Sequence, residues 1–316
     1  MILSPMILRP LSYLCAAVVL SAGLAAPAIA AEPWAAPAMR GTSVDDWRGW
    51  SVLNSGKGYA ASPMGQVHYR DIGPRDAKHT IVLLHQSPMS MIQFAQVQNA
   101  LAEMGLRAIT VDTPGYGTSD LPAKQPTIRE YADNLVHVLD HVKADKVVVA
   151  GHHTGAQIAT AFAANHPARV KAVILHGAAQ LTAEEGDAFL SAKRTPRTPL
   201  ADGSHLTRSF RAQSPDDTQA ILDAKTWLAI TGYIQGPDIG HYAAFTYDML
   251  PDLMAIKAPG LILSDVKDSI HHIDLRVAKH RPDFTYVEFS KGDLLQFMAE
   301  PQRWAQVAAD FVNGLE

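Results

Sequence analysis

The residue of this chain that is best placed to do chemistry is His153, at the centre of the pentapeptide Gly-His-His-Thr-Gly at 151–155. A short β-branched run at 146–150 precedes the pentapeptide, and small residues typical of a packed helix follow it at 156–165. A tight Gly-x-x-x-Gly turn between a strand and a helix thrusts its central side chain into a pocket. We therefore expect the imidazole of His153 to face a pocket, where a histidine can act as a general base or as a nucleophile.

Other segments of the chain resemble motifs of the α/β-hydrolase fold superfamily, in which this strand–turn–helix unit is the nucleophile elbow. Residues 80–85 are typical of a buried strand and end in His-Gln-Ser-Pro at 85–88, which is similar to the superfamily's His-Gly-x-Pro oxyanion loop. The string Asp-Thr-Pro-Gly-Tyr-Gly-Thr-Ser at 112–119 resembles its Asp-x-Pro-Gly-Tyr-Gly-x-Ser signature. The resemblance runs from about Gln66 to the C-terminus. It implies the fold more strongly than the reaction, because one fold hosts many chemistries.

The resemblance and the alternation of strands with helices predict an α/β fold. We expect a doubly wound, mostly parallel, eight-stranded α/β-hydrolase sheet with an inserted helical cap. The core is assigned to residues 65–180 and 257–316, and the cap to 181–256, where the alternation breaks. An N-terminal lead-in is expected at 31–64, irregular to about Lys57, and residues 65–72 are expected to form a strand of the first hairpin. The pattern Thr-Ile-Arg-Glu at 127–130 predicts a capping box that begins a helix.

The first thirty residues have the pattern of a cleavable signal peptide. Arg9 precedes an apolar stretch at 11–24, and Ala-Ile-Ala at 28–30 offers small residues for cleavage. We expect cleavage after Ala30, a secreted or periplasmic protein, and no membrane anchor in the mature form. The single cysteine, Cys15, lies in this leader, so the mature chain is expected to have neither a disulfide nor a thiol nucleophile.

The composition is that of an ordinary globular protein. Hydrophobic residues make up 47% of the chain and charged residues 18%. The net charge of −4 and the absence of a basic stripe give no sign of nucleic-acid binding. The expected partner is a small-molecule substrate, no cofactor is predicted, and the oligomeric state is left open.

The resemblance also implies a nucleophile, a histidine base and an orienting acid. By position these are His153, Asp293 and Asp268, of which only Asp268 keeps the usual residue type. Asp265, three residues before Asp268, is a rival for the acid.

The implied oxyanion donors are the backbone N–H groups of Ser87 and Thr154. Gln86 replaces the usual loop glycine and brings a side chain where glycine allows unusual backbone shapes. Further pocket residues are expected in the cap, although for each of them simple packing is an alternative. They are His205, Trp227, Tyr233, His241 and Tyr242.

The length of an imidazole suggests how the altered trio could work. The ring of His153 reaches about 3 Å farther from the elbow than a serine hydroxyl does. That distance would carry it into the space of the missing triad histidine, near Asp268 and Asp293. A histidine bound to a carboxylate has a fixed tautomer and one ring nitrogen facing the pocket, which makes it a general base. The alternative role of His153 as a nucleophile ranks below this one.

A metal site is a more specific alternative to the general base. The ligands available for it are His152, His153, Asp293 and His271. We do not expect one, because adjacent histidines point in different directions and no His-x-x-x-His pair supports them. His152 is expected to pack behind the turn instead.

Three classes of function are open. The first is a hydrolase of a small, moderately hydrophobic ester, lactone or ketone with an atypical triad. The second is a lyase or isomerase in which His153 shuttles a proton. The third is a ligand-binding pseudohydrolase.

Overall fold

The computed structural model describes residues 56–192, 200–204, 238–289 and 296–315. In these residues eight strands form one sheet in the order β1-β2-β4-β3-β5-β6-β7-β8. The strands are β1 (Lys57–Ser62), β2 (Gly65–Ile72), β3 (Thr80–Leu84), β4 (Arg107–Val111), β5 (Val147–His152), β6 (Val170–His176), β7 (Gly260–Asp265) and β8 (Thr285–Phe289). β1 and β2 pair antiparallel, as do β2 and β4, and all other neighbours are parallel. The predicted eight-stranded, mostly parallel sheet is confirmed.

Helices cover both faces of the sheet. They are α1 (Ala95–Glu103), α2 (Ile128–His141), α3 (Thr154–Asn165), α4 (Ala183–Ser191), α5 (Ile239–Phe245), α6 (Leu250–Ala255), α7 (His271–His280), α8 (Gln296–Ala299) and α9 (Pro301–Asn313). Short 3₁₀ turns at Met91–Phe94 and Pro167–Arg169 complete the set. None of the helices in the described ranges is long and apolar enough to cross a membrane.

The two faces are filled by alternate residues of the same strands. In β3, Val82 and Leu84 pack in a cluster with α2 and α3, whereas Ile81 and Leu83 pack with α1 and α9. Alternation along a strand sends successive side chains to opposite faces, so a strand that is buried on both faces is apolar throughout. This double cover explains the continuous apolar runs. The parallel pairing of β3 to β8 places the carboxyl ends of these six strands along one edge.

Local sequence signals set two of the structural details. The predicted capping box is present, since Thr127 Oγ1 accepts from Glu130 N at 3.1 Å and Glu130 Oε2 accepts from Thr127 N at 2.8 Å. In the loop after β4, Asp112 Oδ1 accepts from Met91 N at 2.7 Å and Oδ2 accepts from Thr118 N at 3.0 Å. Asp112 therefore joins the segment after the oxyanion loop to the signature loop.

The N-terminal lead-in contains strand β1, and the cap segment contains three described helices. β1 begins at Lys57, where the irregular part of the lead-in was expected to end, and it pairs with β2 as the other strand of the expected first hairpin. Gly65, with a φ of +97°, follows the turn between the two strands. The described parts of 181–256 include the helices α4, α5 and α6. The leader, His205, Trp227, Tyr233 and Asp293 lie outside the described residues, and the domain boundaries stay predictions.

Candidate functional site

His153 occupies a strained turn between β5 and α3. Its backbone has φ +48° and ψ −111°, in the left-handed half of the map where residues other than glycine are uncommon. The flanking glycines make the turn possible, because a Cβ at Gly151 would overlap Gly155 O and one at Gly155 would overlap Leu84 O. This is the geometry of an elbow that presents its central side chain.

The structure brings together His153 and Asp268, two of the three residues assigned by position. His153 Nε2 lies 2.6 Å from Asp268 Oδ2. The side chain of Asp268 is 1% exposed and that of His153 is 27% exposed. The carboxylate is therefore buried, whereas part of the imidazole is accessible to solvent. Asp268 Oδ1 also accepts from Ile270 N at 3.0 Å, which fixes the carboxylate. The imidazole thus spans the distance to the acid, as its length suggested.

Gly177, which the sequence analysis missed, makes room for this ring. A Cβ at Gly177 would lie 2.8 Å from His153 Nε2 and 3.3 Å from Asp268 Oδ2, and it would overlap His153 Cδ2. Its φ of +58° also suits glycine. A glycine directly after the β6 strand was the available signal, but its meaning depends on a contact made only in the fold.

The contact with Asp268 decides which ring nitrogen of His153 carries the lone pair. Because Nε2 donates to the carboxylate, the neutral ring of His153 carries its lone pair on Nδ1. None of the described residues forms a hydrogen bond with Nδ1. In a Ser-His-Asp triad the acid binds Nδ1 of the histidine, whereas Asp268 contacts the opposite ring nitrogen, Nε2, of His153.

Charge also favours proton uptake by His153. Burial lowers its pKa, but the Asp268 carboxylate outweighs burial, with help from Asp274 and Asp265, so the pKa is raised above its usual value. Burial raises the pKa of Asp268, but the charge and hydrogen bond of His153 outweigh it and leave that pKa lowered. The pair therefore favours an imidazolium facing a carboxylate once a proton is taken.

His152 packs behind the turn and is fully buried, as predicted. Its ring stacks on that of His153 with centroids 4.1 Å apart and planes 25° apart. The expectation that adjacent histidines point in different directions is wrong here, because the positive φ of His153 interrupts the alternation of an extended chain. Burial holds the pKa of His152 well below its usual range, so this ring is neutral.

His152, His153 and Asp268 have potential metal-ligand atoms within 4.8 Å of one another, but their arrangement does not fit a chelate. A metal binds imidazole in the plane of the ring, about 2.0–2.1 Å from the nitrogen. The stacked rings direct their lone pairs side by side rather than toward a common point, and His153 Nε2 already faces Asp268. His271, the other histidine considered, is engaged elsewhere, with Nδ1 2.9 Å from Ser264 Oγ.

The rival acid, Asp265, belongs to a second pair. Asp265 Oδ2 lies 3.2 Å from His176 Nε2, and Trp304 Nε1 donates to His176 Nδ1 at 3.1 Å. This pair is buried, with 1% of the His176 side chain exposed. Asp265 therefore pairs with His176 rather than with the elbow histidine.

A further buried carboxylate, Asp274, supports the same edge of the sheet and was also missed. Asp274 Oδ1 accepts from Ala178 N at 2.6 Å, and Ser264 Oγ donates to Oδ2 at 2.6 Å. Burial raises the pKa of Asp274 to about 6. Since Ala178 follows Gly177, Asp274 holds the turn that accommodates the His153 ring.

The predicted oxyanion residues lie together, but their donors are partly engaged. Ser87 N donates to Thr154 Oγ1 at 3.4 Å. Gln86 N donates to Gln93 Oε1 at 3.2 Å, and the Gln86 side-chain amide donates to Met89 Sδ at 3.2 Å. The role of Ser87 as a backbone donor to substrate stays a prediction.

Two of the expected cap residues are described. His241 Nδ1 lies 2.6 Å from Asp238 Oδ2, and Tyr242 is 52% exposed. Neither forms a hydrogen bond with His153 or Asp268. Their helix, α5, is anchored to the core by Gly240 N, which donates to Tyr116 Oη at 2.7 Å.

Comparisons with known proteins agree with this architecture. A family model described as alpha/beta hydrolase fold matches residues 79–224. Epoxide hydrolase B of Mycobacterium tuberculosis is 36% identical over 106 residues, which cover 33% of this chain and 30% of that protein. The AB hydrolase superfamily protein YisY of Bacillus subtilis is 29% identical over 252 residues, covering 74% of this chain and 91% of that protein.

A solved structure shares the fold over most of the chain. A hydrolase from Pseudomonas aeruginosa superposes with a TM-score of 0.68 at 18% identity, covering 81% of this chain and 98% of that one. The chain has the α/β-hydrolase fold. It spans 30% of the length of the epoxide hydrolase that it matches.

Proposed function

We propose that this protein is a hydrolase of a small, moderately hydrophobic ester, lactone or ketone, with His153 as general base and Asp268 as the acid that orients it. The observation that carries the proposal is the 2.6 Å contact between Asp268 Oδ2 and His153 Nε2. It fixes the tautomer and leaves a basic nitrogen, Nδ1, on a turn that presents its side chain to a pocket. The names of both curated relatives, which describe hydrolases, support water as the second substrate.

For an ester, the proposed reaction needs no covalent enzyme intermediate. His153 Nδ1 takes a proton from a water molecule as the water oxygen bonds to the carbonyl carbon. The imidazolium is stabilised by Asp268, which stays ionised. When the carbon–oxygen bond to the leaving alcohol breaks, the imidazolium returns the proton to the alcohol oxygen. One ester and one water become one acid and one alcohol, and His153 is again neutral.

The proposed pocket includes residues whose placement rests on the sequence. Asp293 is proposed as a second acid near His153, and His205 and Trp227 as cap residues that shape the cavity. A cap excludes water that does not react and fixes the substrate over the base.

Kinetics with matched histidine variants test the base. The probes are 4-nitrophenyl butyrate and a γ-lactone with a short alkyl chain, and the variants are His153→Ala and His166→Ala. His166 lies just beyond α3 and pairs with Asp133 at 2.8 Å, away from the elbow. We expect His153→Ala to lose turnover and His166→Ala to keep it. A His153→Ala protein as active as the wild type would disprove the proposal.

Labelled water separates hydrolysis from the other two classes. In water enriched in oxygen-18, the acid product of the wild-type reaction should carry one labelled oxygen, detected by mass spectrometry. An unlabelled product would show proton-transfer chemistry of a lyase or isomerase. Binding of either probe without any product would show a ligand-binding protein.

We also propose that the protein is exported and cleaved after Ala30. Expression of the full chain with its leader should give a periplasmic or secreted protein, and its measured mass should equal that of a chain that begins at Ala31. A recovered protein that retains residues 1–30 would contradict this.

A further inference from the structure

The hydroxyl of Thr154 lies between the elbow and the oxyanion loop. It accepts a hydrogen bond from Ser87 N at 3.4 Å. A threonine hydroxyl has one proton to donate and two positions that accept, so accepting from Ser87 leaves its own proton free to donate. None of the described residues accepts that proton. Thr154 is therefore an oriented donor beside His153.

The backbone donors of the oxyanion loop are engaged. Ser87 N–H is directed at Thr154, and Gln86 N–H donates to Gln93 Oε1 at 3.2 Å. The Gln86 side-chain amide is directed at Met89 Sδ. Apart from the second N–H of the Gln86 amide, the donors left among these neighbours belong to Thr154. Its backbone N–H, at the first position of α3, has no acceptor within the helix, and its hydroxyl lies next to it.

We propose that the Thr154 hydroxyl, held by Ser87 N–H, donates a hydrogen bond to the reacting carbonyl oxygen of the substrate. This inference rests on the proposed hydrolase function, since it supplies the charge stabilisation that attack at the carbonyl carbon requires. Donors linked in a chain polarise one another, so the Ser87 N–H strengthens the Thr154 O–H as a donor. Thr154 is 3% exposed and Ser87 5% exposed, and exclusion of water makes such a donor more effective.

Two substitutions at Thr154 separate the hydroxyl from the shape of the side chain. Thr154→Val keeps the shape and removes the donor, whereas Thr154→Ser keeps the donor and removes the methyl. Thr160→Val is the matched control, because Thr160 is buried on the same helix and its Oγ1 donates to Ala156 O at 2.9 Å. The probe is 4-nitrophenyl butyrate, and circular dichroism checks that each variant folds.

We expect Thr154→Val to lower kcat by about a hundred- to a thousand-fold, the effect of removing one oxyanion donor. KM should change little, because the hydrogen bond strengthens in the transition state rather than in the bound substrate. Thr154→Ser should retain most of the rate, and Thr160→Val should match the wild type. If Thr154→Val does not fold, Thr154→Ala takes its place and should be as slow as expected for the valine variant.

Two results would overturn the role of Thr154. One is a Thr154→Val protein with a kcat close to that of the wild type. The other is an equal loss in Thr154→Val and Thr154→Ser, which would assign the effect to the methyl group. Either result together with an inactive His153→Ala protein removes only this inference, whereas an active His153→Ala protein removes the proposed function itself.

Discussion

Two imidazole–carboxylate pairs lie at neighbouring strand ends of this sheet. They differ in the hydrogen bonding of the ring nitrogen that does not contact the carboxylate. In the front pair, His153 and Asp268 are 2.6 Å apart and Nδ1 has no hydrogen-bond partner among the described residues. In the rear pair, His176 and Asp265 are 3.2 Å apart, and Trp304 donates to the other nitrogen. The side chain of His153 is 27% exposed and that of His176 1% exposed.

Residue types alone do not decide which of the two pairs has an accessible ring nitrogen. Both pairs contain one histidine and one aspartate, and the neutral ring of His152 lies between the two histidines. A general base needs a free lone pair that a substrate or water can reach. The front pair offers one at Nδ1, whereas Trp304 occupies the corresponding nitrogen of the rear pair.

The largest expected effect comes from changing one acid at a time. Asp268→Asn should lower kcat by about 10⁴-fold, because an amide can donate to Nε2 and move the ring proton onto Nδ1. Asp265→Asn should leave kcat near the wild-type value, because both side chains of the rear pair are buried and Trp304 occupies His176 Nδ1. Steady-state kinetics with 4-nitrophenyl butyrate measure both. Equal losses of kcat in the two variants would contradict the prediction that only the front pair takes part in catalysis.

A second prediction concerns the space that the front pair requires. Gly177→Ala should lower kcat by about a hundred-fold, since its Cβ would displace the His153 ring and small displacements of a catalytic group carry that loss. Gly105→Ala is the control, because Gly105 has a φ of +81° and an added Cβ there meets nothing within 4 Å. Both changes carry the backbone strain of the left-handed region, about 1–2 kcal/mol.

A double variant shows whether the clash is with the imidazole. Gly177→Ala should destabilise the His153→Ser protein less than it destabilises the wild type, because serine leaves the space empty. Urea unfolding of the four proteins gives the coupling. Equal destabilisation in both backgrounds would mean that Gly177 does not accommodate the ring.

The pH dependence reports the charge of the front pair. Because the pKa of His153 is raised and its neutral form is the base, kcat/KM should fall as the pH drops through that raised value. Below the pKa the fall should be about tenfold per pH unit. A rate that stays constant from neutral into acid would contradict a histidine base with a raised pKa.

The smallest effect on activity is expected in the rear pair. Trp304→Phe removes the donor to His176 Nδ1 and leaves a buried polar atom unpaired, at a cost of about 1–3 kcal/mol in the free energy of unfolding. Activity should stay at the wild-type level. A stable variant that loses turnover would show that the rear pair takes part in the chemistry.

Several features could be predicted from the sequence because they depend on local patterns. The elbow is recognisable from Gly151 and Gly155 around His153, and the capping box from Thr127 and Glu130. The apolar runs give the buried strands, since a parallel sheet covered on both faces needs apolar residues throughout. The contact between His153 and Asp268 followed from motif order and the length of an imidazole.

Other features depend on contacts between segments that are far apart in the sequence. Gly177 matters only because the His153 ring passes beside it, 24 positions after the histidine. Asp265 and Asp268 are three residues apart, and what separates them is that Asp265 ends strand β7 while Asp268 lies in the turn that follows. The engagement of Ser87 N–H by Thr154 likewise needs the oxyanion loop and α3 to be packed together.

Nitrogen-15 NMR of the histidine rings across a pH titration, with His153→Ala used to assign the His153 signals, locates the ring proton of His153 directly. We expect that His153 carries its proton on Nε2 and has an unprotonated Nδ1 at neutral to alkaline pH, with a pKa above the usual histidine value. A neutral His153 ring protonated on Nδ1, or a pKa at or below the usual value, would contradict the assignment of Nδ1 as the base.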